Sequence, residues 1–170
     1  AARDEALGFE SLPVSGDKDA YQLATDKTRI VTTKKGITDV AIYGPAEVEE
    51  RYGVRPDQFI DFLGLKGDSS DNIPGVPGIG EKTALDLVRR YGGIDAIYAQ
   101  IDTLDIREAV RKKLAAGEES ARLSYELATI HCDAPVEVEP EALRWDRDFR
   151  PGLYALFSSP GFNRFIEKWG

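Results

Sequence analysis

The sequence predicts an α/β chain in which the end of a parallel-sheet core is followed by a helical region with a helix–hairpin–helix. Three observations predict it. β-rich runs are confined to residues 1–43, and apolar residues recur at helical spacing after Gly44-Pro45. A string rich in glycine, proline and aspartate, Gly67–Gly80, separates two of the helical segments.

Residues 1–8 read as the end of a helix, with Ala2, Ala6 and Leu7 apolar between charges. Glu10–Ser15 reads as a buried strand that needs further strands on both sides. It runs directly into Gly16-Asp17-Lys18-Asp19, and Ala20–Leu23 fits a short helical turn. Thr28–Thr33 and Thr38–Tyr43 are β-rich runs split by Lys34-Lys35-Gly36, a hairpin-like signal. Pro45 suits a first helical turn leading Ala46–Tyr52, which Gly53 stops. Pro56 likewise opens Asp57–Lys66, where Phe59, Ile60, Phe62 and Leu63 are spaced for one buried face. Gly67–Gly80 must be irregular. Glu81–Tyr91 is helical and closed by Gly92-Gly93, with further helices expected over Asp95–Gln100, Ile106–Ala116 and Glu118–Ile130. From His131 the tail is acidic and extended, then ends in two short helices, Pro151–Phe157 and Phe162–Trp169. Phe157, Phe162, Phe165 and Trp169 are spaced there as core.

A chain of 170 residues, 42% hydrophobic and 31% charged, suffices for one domain with a real core or a domain plus a satellite. No apolar run approaches the roughly 18 residues of a membrane span, so no membrane partner is expected. The opening Ala1-Ala2-Arg3-Asp4-Glu5 lacks the basic-then-apolar layout of a secretory signal. The single Cys132 excludes an internal disulfide and suits a reducing cytoplasm. The lack of methionine hints at a chain that starts inside a longer protein. A net charge of −8 opposes a diffuse basic surface for nucleic acid. A local clamp of backbone amides, with cations neutralising an acidic cluster, answers that objection.

The strongest local motif is Gly75-Val76-Pro77-Gly78-Ile79-Gly80-Glu81-Lys82-Thr83-Ala84. Glycines allow positive φ and close backbone approach, and Ile79 between Gly78 and Gly80 can plug the space between two helices. The free amides at the start of the Glu81 helix then face outward as an anion site, within reach of Lys82. This pattern is a helix–hairpin–helix, spanning 57–91, which grips a DNA backbone without reading sequence. The candidate DNA-binding residues are Gly75, Gly78, Ile79, Gly80, Lys82 and Thr83. The plainer explanation, a glycine-rich turn between packed helices, would suffice for two glycines but not for the whole string.

Asp17 and Asp19 follow a strand at a spacing of two, toward the crevice where open α/β sheets place their sites. Asp68 and Asp71 immediately precede the hairpin. Four carboxylates converging on one place repel unless cations lie between them, and such hard oxygen ligands suit Mg²⁺ or Mn²⁺. The structural alternative for either pair is a helix cap at Asp17 and turns at Asp68 or Asp71.

At these residues the chain resembles the 5′-nuclease (flap endonuclease-like) family, most closely the 5′-3′ exonuclease domain type of bacterial DNA polymerase I. Gly16-Asp17-Lys18-Asp19-Ala20-Tyr21-Gln22-Leu23 resembles the family's GDKD-xx-QL element. The stretch from Gly67-Asp68-Ser69-Ser70-Asp71-Asn72 through Thr83-Ala84 resembles its GD-xSDN-xPGV-xGIGEKTA element. The resemblance implies that Asp17, Asp19, Asp68 and Asp71 belong to an acidic metal cluster. It also implies a hairpin holding duplex, 5′-flap or nicked DNA, with a K⁺ ion on its loop carbonyls. It further implies two-metal phosphodiester hydrolysis serving DNA replication and repair in the bacterial cytoplasm, alongside a covalently linked polymerase domain.

On this reading 1–43 is the end of the α/β nuclease core, 44–130 the helical DNA-binding region and 131–170 a closing segment. The family's other metal carboxylates, its Glu-Ala-Asp-Asp-like helix start and its basic helical arch are expected in an upstream third preceding Ala1. Catalysis by these residues alone is therefore not expected. The alternative is a non-catalytic helix–hairpin–helix module, which has no reason to keep four mutually repelling aspartates. A protein-binding α/β scaffold has only the acidic charge in its favour. His131 and Cys132 lack the company a zinc site or a serine hydrolase needs. Lys34-Lys35 and Arg111-Lys112-Lys113 fit either phosphate contact or solvated surface.

Overall fold

Two extended segments lying beside one another begin the fold of the computed structural model, which describes residues 2–35, 39–135, 143–145, 150–158 and 160–169. Strand β1 (Ile30–Lys35) pairs antiparallel with β2 (Asp39–Tyr43), Ile30 opposite Tyr43 and Thr33 opposite Val40. Lys34 and Lys35 thus belong to a strand, and residues 36–38 of the expected turn lie outside the described residues. Residues 11–15 run parallel to β1, with bridges Ser11–Thr28 and Val14–Val31. The Val31 amide donates to the Pro13 carbonyl at 2.8 Å and the Ser15 amide to the Val31 carbonyl at 3.0 Å. The expected burial of this strand is corrected: Leu12 is 52% and Val14 74% exposed. Among the described residues no further strand pairs with its outer edge.

The rest is helical: α1 (Ala2–Ala6), a 3₁₀ helix (Lys18–Leu23), α2 (Pro45–Tyr52), α3 (Pro56–Lys66), α4 (Glu81–Tyr91), α5 (Ile94–Ala99), α6 (Glu108–Ala116) and α7 (Glu118–Ala128). Prolines open α2 and α3 because the first-turn N–H lacks an intrahelical partner in any case. Glu47 reinforces the first, accepting from the Gly44 amide at 2.9 Å. Two helices are shorter than expected. α6 starts at Glu108 because Arg107 is extended, and α7 ends at Ala128 because Thr129 is extended. None of these helices is long and apolar enough to cross a membrane.

α3 is the central helix, with Phe59, Phe62, Leu63 and Leu65 buried against Leu87 and Val88 of α4 and Ile97 of α5. Ile60 is only partly buried. The 3₁₀ helix is fastened to this core by Tyr21, whose ring meets Tyr43, Tyr52 and Phe59 at centroid distances of 5.0, 5.3 and 5.8 Å. Gln22 fastens it again. Its amide nitrogen donates to the Ala128 carbonyl at 3.0 Å and its oxygen accepts from the Ile130 amide at 2.9 Å, closing the end of α7.

The described chain divides into two compact units, Ala1–Asp133, treated above, and Ala134–Gly170. The second contains α8 (Arg150–Ser158) and α9 (Asn163–Trp169). The expectation of a core here is corrected. Phe162 and Phe165 are half-exposed, and the Phe165 ring pairs with Phe157 at 5.2 Å and Phe162 at 6.2 Å. Two short helices hold too little apolar surface to enclose three phenylalanines.

Gln22→Ala should lower stability by about 1–3 kcal/mol, because it leaves a carbonyl and an amide at the end of α7 without partners. A fall in the urea midpoint with an unchanged m-value tests this.

Candidate nucleic-acid interface and acidic cluster

The 3₁₀ helix presents the first aspartate pair. Asp17 caps it, its side chain accepting from the Asp19 amide at 3.0 Å, while the Asp17 amide donates to Ser15 Oγ at 3.0 Å. The second pair stands on the loop after α3. Asp68 and Ile73 close that loop by reciprocal backbone bonds of 2.9 and 2.8 Å. Asn72 at its foot takes a left-handed conformation, φ 57°. The Asp68 carboxylate accepts from the Ser70 amide at 2.8 Å and from the Ser70 hydroxyl, bonds that hold its pKa below the ordinary carboxylate range. The cap and the turn considered as structural explanations are therefore both present. These bonds engage one oxygen of the Asp17 carboxylate and one of the Asp68 carboxylate.

Asp19 brings the two pairs into one field. It is partly buried, and its carboxyl is pushed up to about 6, first by burial and then by the charges of Asp17, Asp71 and Asp68. The charges of Asp17, Asp68 and Asp71 thus all reach Asp19. Even so, among the described residues no three His, Cys, Asp or Glu side chains are gathered closely enough to hold an ion. The two observations are compatible, since charge repulsion acts over distances well beyond a metal–oxygen bond. The donor set fits a hard divalent cation in kind, but the cage is open.

Eight residues on from Gly67 the hairpin begins. Gly75 and Gly78 have φ values of 62° and 78°, open to glycine at no steric cost. The Val76 amide donates to the Leu65 carbonyl at 2.8 Å, returning the chain against α3, and Ile79 is buried as the expected plug. Gly80 caps α4 and is exposed, with open space where a side chain would stand. Glu81 and Lys82 are exposed and Thr83 partly so, which leaves the first amides of α4 facing outward.

Gly75 departs from its expected role. It is buried, its amide donating to Ser124 Oγ at 2.9 Å and its carbonyl accepting from Ser120 Oγ at 2.6 Å, so it shapes the hairpin and offers no free amide. The Gly78 carbonyl accepts from Lys113 Nζ at 3.0 Å. Sequence reasoning does not find Ser120 and Ser124 as hairpin partners, because they stand 45 and 49 residues downstream of Gly75. The basic triplet also resolves. Arg111 holds the carbonyls of Ile101 and Leu104, whereas Lys112 and Lys113 are exposed. Beside Lys82 a groove of about 530 Å³ opens, lined also by Thr83, Arg90, Asp105 and Arg107.

Residues 54–150 match the family model described as 5′-3′ exonuclease, C-terminal SAM fold. The chain is 47% identical over 166 residues to DNA polymerase I of Bacillus subtilis, covering 98% of this chain and 19% of that protein. It is 38% identical over 171 residues to DNA polymerase I of Mycobacterium tuberculosis, covering 99% and 18%. It therefore spans about a fifth of the length of the curated relatives it matches. Among solved structures, the T5 5′-exonuclease with bound divalent metal ions (zinc) superposes with a TM-score of 0.63 at 28% identity, covering 74% of this chain and 46% of that one. The catalytic core of Rad2 in complex with DNA substrate gives 0.59 at 16% identity, covering 93% and 55%, a likeness of fold alone.

Asp19 titrates with a sign opposite to that of a salt-bridged carboxylate. Its folded pKa lies above the unfolded value, so the folded state is favoured at low pH. That contribution is lost as pH rises from about 4 through about 6. Asp19→Asn should therefore raise the free energy of unfolding above pH 6.5 by about 1 kcal/mol, after allowing for solvent screening, and make almost no difference near pH 3. Thermal melts of both chains across about pH 3–7.5 without divalent metal check it.

Proposed function

Because the chain belongs to the 5′-3′ exonuclease family, we propose that it is the DNA-holding part of a metal-dependent flap nuclease. The hairpin and the start of α4 grip one strand of a duplex, and Asp17, Asp19, Asp68 and Asp71 form one side of the metal site. The observation that carries this reading is Asp19, whose carboxyl is raised first by burial and then by the charges of three other aspartates on two separate elements, one of which leads directly into the hairpin. Like charges gathered without ion pairs weaken a fold unless a cation is their partner. The family's solved members support the metal: the T5 enzyme has been determined with bound divalent ions. A T5 flap endonuclease determined with DNA and metal ions supports the substrate.

In this reading residues 1–43 close the nuclease core and 44–130 bind DNA. Ile79 and the buried Val76 keep the loop narrow, so that Gly78 and Gly80 admit a phosphate close to the backbone. Lys82, in the first turn of α4, adds the opposing charge, and Thr83 a hydroxyl donor. Bound cations supply charge neutralisation and an activated water. The aspartates of this chain hold and orient them from one side, with Mg²⁺ or Mn²⁺ the ions their oxygens suit. Since the cage is open among the described residues, the four aspartates need further ligands, and on their own they let the chain bind duplex without cleaving it at a useful rate. K⁺ on the hairpin carbonyls must contend with Lys113, which already occupies the Gly78 oxygen. The second reading is a DNA-binding module without chemistry, favoured by the lack of a closed ligand group among the described residues.

Lys82→Glu should weaken binding to a blunt duplex by about 1–3 kcal/mol and reduce the salt slope by about one phosphate contact. Unchanged affinity at moderate salt contradicts the clamp. With Mg²⁺ and a 5′-flap substrate the chain should give no robust turnover, and steady cleavage would contradict the open cage. Millimolar Mg²⁺ should raise the thermal midpoint if the aspartates are ligands, and leave it unmoved if the module has no metal site.

A further inference from the structure

Helix α7 meets the hairpin at Gly75. We propose that Ser120 and Ser124, one turn apart on α7, are positioning residues that hold the hairpin in its phosphate-receiving shape. This inference rests on the reading of the hairpin as a DNA clamp.

The two hydroxyls take hold of a single residue. Ser124 Oγ accepts from the Gly75 amide and Ser120 Oγ donates to the Gly75 carbonyl, so both peptide planes flanking its Cα are fixed. Gly75 is where such fixing matters, because a residue without a Cβ has other backbone conformations open to it besides the left-handed one it adopts. Ser124 is fully buried, and its hydroxyl is the hydrogen-bond partner of a buried amide. The helix that carries the serines is itself fixed. At Gly64, α3 approaches so closely that an added Cβ would stand 3.2 Å from the Tyr125 Cβ and 3.3 Å from the Ala121 carbonyl oxygen. At the α6–α7 corner, Gly117 leaves room for Val76, the residue after Gly75, where a Cβ would meet its side chain at 2.7 Å. Lys113 braces the same loop farther on, at the Gly78 carbonyl. Swinging the Gly75 peptides would move the exposed Gly78 and Gly80 on one side and the aspartate loop on the other.

The test measures binding of a short labelled duplex by the full 170-residue chain, at fixed moderate salt and well below each variant's unfolding midpoint. Ser120→Ala and Ser124→Ala should each weaken binding about 5- to 10-fold, with a smaller salt slope and faster amide exchange at residues 76 and 78–81. Ser120→Thr keeps the hydroxyl and should restore affinity. Val48→Ala, a buried change on α2, should lower the unfolding midpoint while leaving affinity unchanged. Undiminished binding by both serine variants, where Lys82→Glu does weaken it, overturns this inference and leaves the clamp standing. Equal weakening by Val48→Ala overturns it too, since the effect would then be one of stability alone. An unaltered chain that binds no duplex overturns both the inference and the reading beneath it.

Discussion

Two glycine backbones touching one another hold the halves of the candidate site together. A side chain at Gly75 would put its Cβ 2.3 Å from the Gly67 amide nitrogen, and one at Gly67 would stand 2.5 Å from the Ile73 carbonyl oxygen. Both glycines have left-handed φ values, 77° and 62°, so conformation and space exclude a side chain together. This contact closes residues 67–75 into a tight loop at the end of α3. Asp68 and Asp71 emerge from the loop itself, and the hairpin emerges from its exit. The separation of the Asp68–Asp71 loop from the hairpin is thereby limited first by a main-chain contact, which the serines of α7 reinforce.

Electrostatics makes the opposite demand. A chain of net charge −8 loses stability to self-repulsion, and Asp19, raised first by burial, is raised further by the charges of Asp17, Asp71 and Asp68. The fold tolerates the cluster because each supporting segment is fastened elsewhere. Tyr21 and Gln22 anchor the 3₁₀ helix to the core and to the end of α7, and the reciprocal Asp68–Ile73 bonds anchor the loop. Lys82, Arg90 and Arg107 line the groove beside the hairpin together with Asp86 and Asp105, and Lys112 and Lys113 stand beside Pro77.

Much of this was legible in the sequence because the signals are local. Prolines at the first turn, glycines beyond the last and helical apolar spacing placed α2, α3 and α4, and α4 falls on the expected residues throughout. The hairpin and the two aspartate pairs are contiguous strings, readable for the same reason. Non-local partnerships were hidden. No pattern near Gly75 announces that serines of α7 will take both of its polar groups, nor does Gly78 announce Lys113. The exposure of Val14 was likewise invisible, because alternation reports which residues are apolar and not whether a partner strand is present. At the other end, helical spacing of Phe162 and Phe165 suggested enclosure that two short helices do not provide.

The most direct test is nuclear magnetic resonance of the isotopically labelled chain titrated with Mn²⁺ and then with a 5′-flap duplex. Paramagnetic broadening should concentrate on the amides of Asp17, Asp19, Asp68 and Asp71, and the duplex should shift the amides of Gly78, Gly80 and Lys82. Broadening spread over unrelated acidic surface such as Glu108 and Glu119, or duplex shifts confined to other helices, would contradict the placing of a metal site beside a DNA grip.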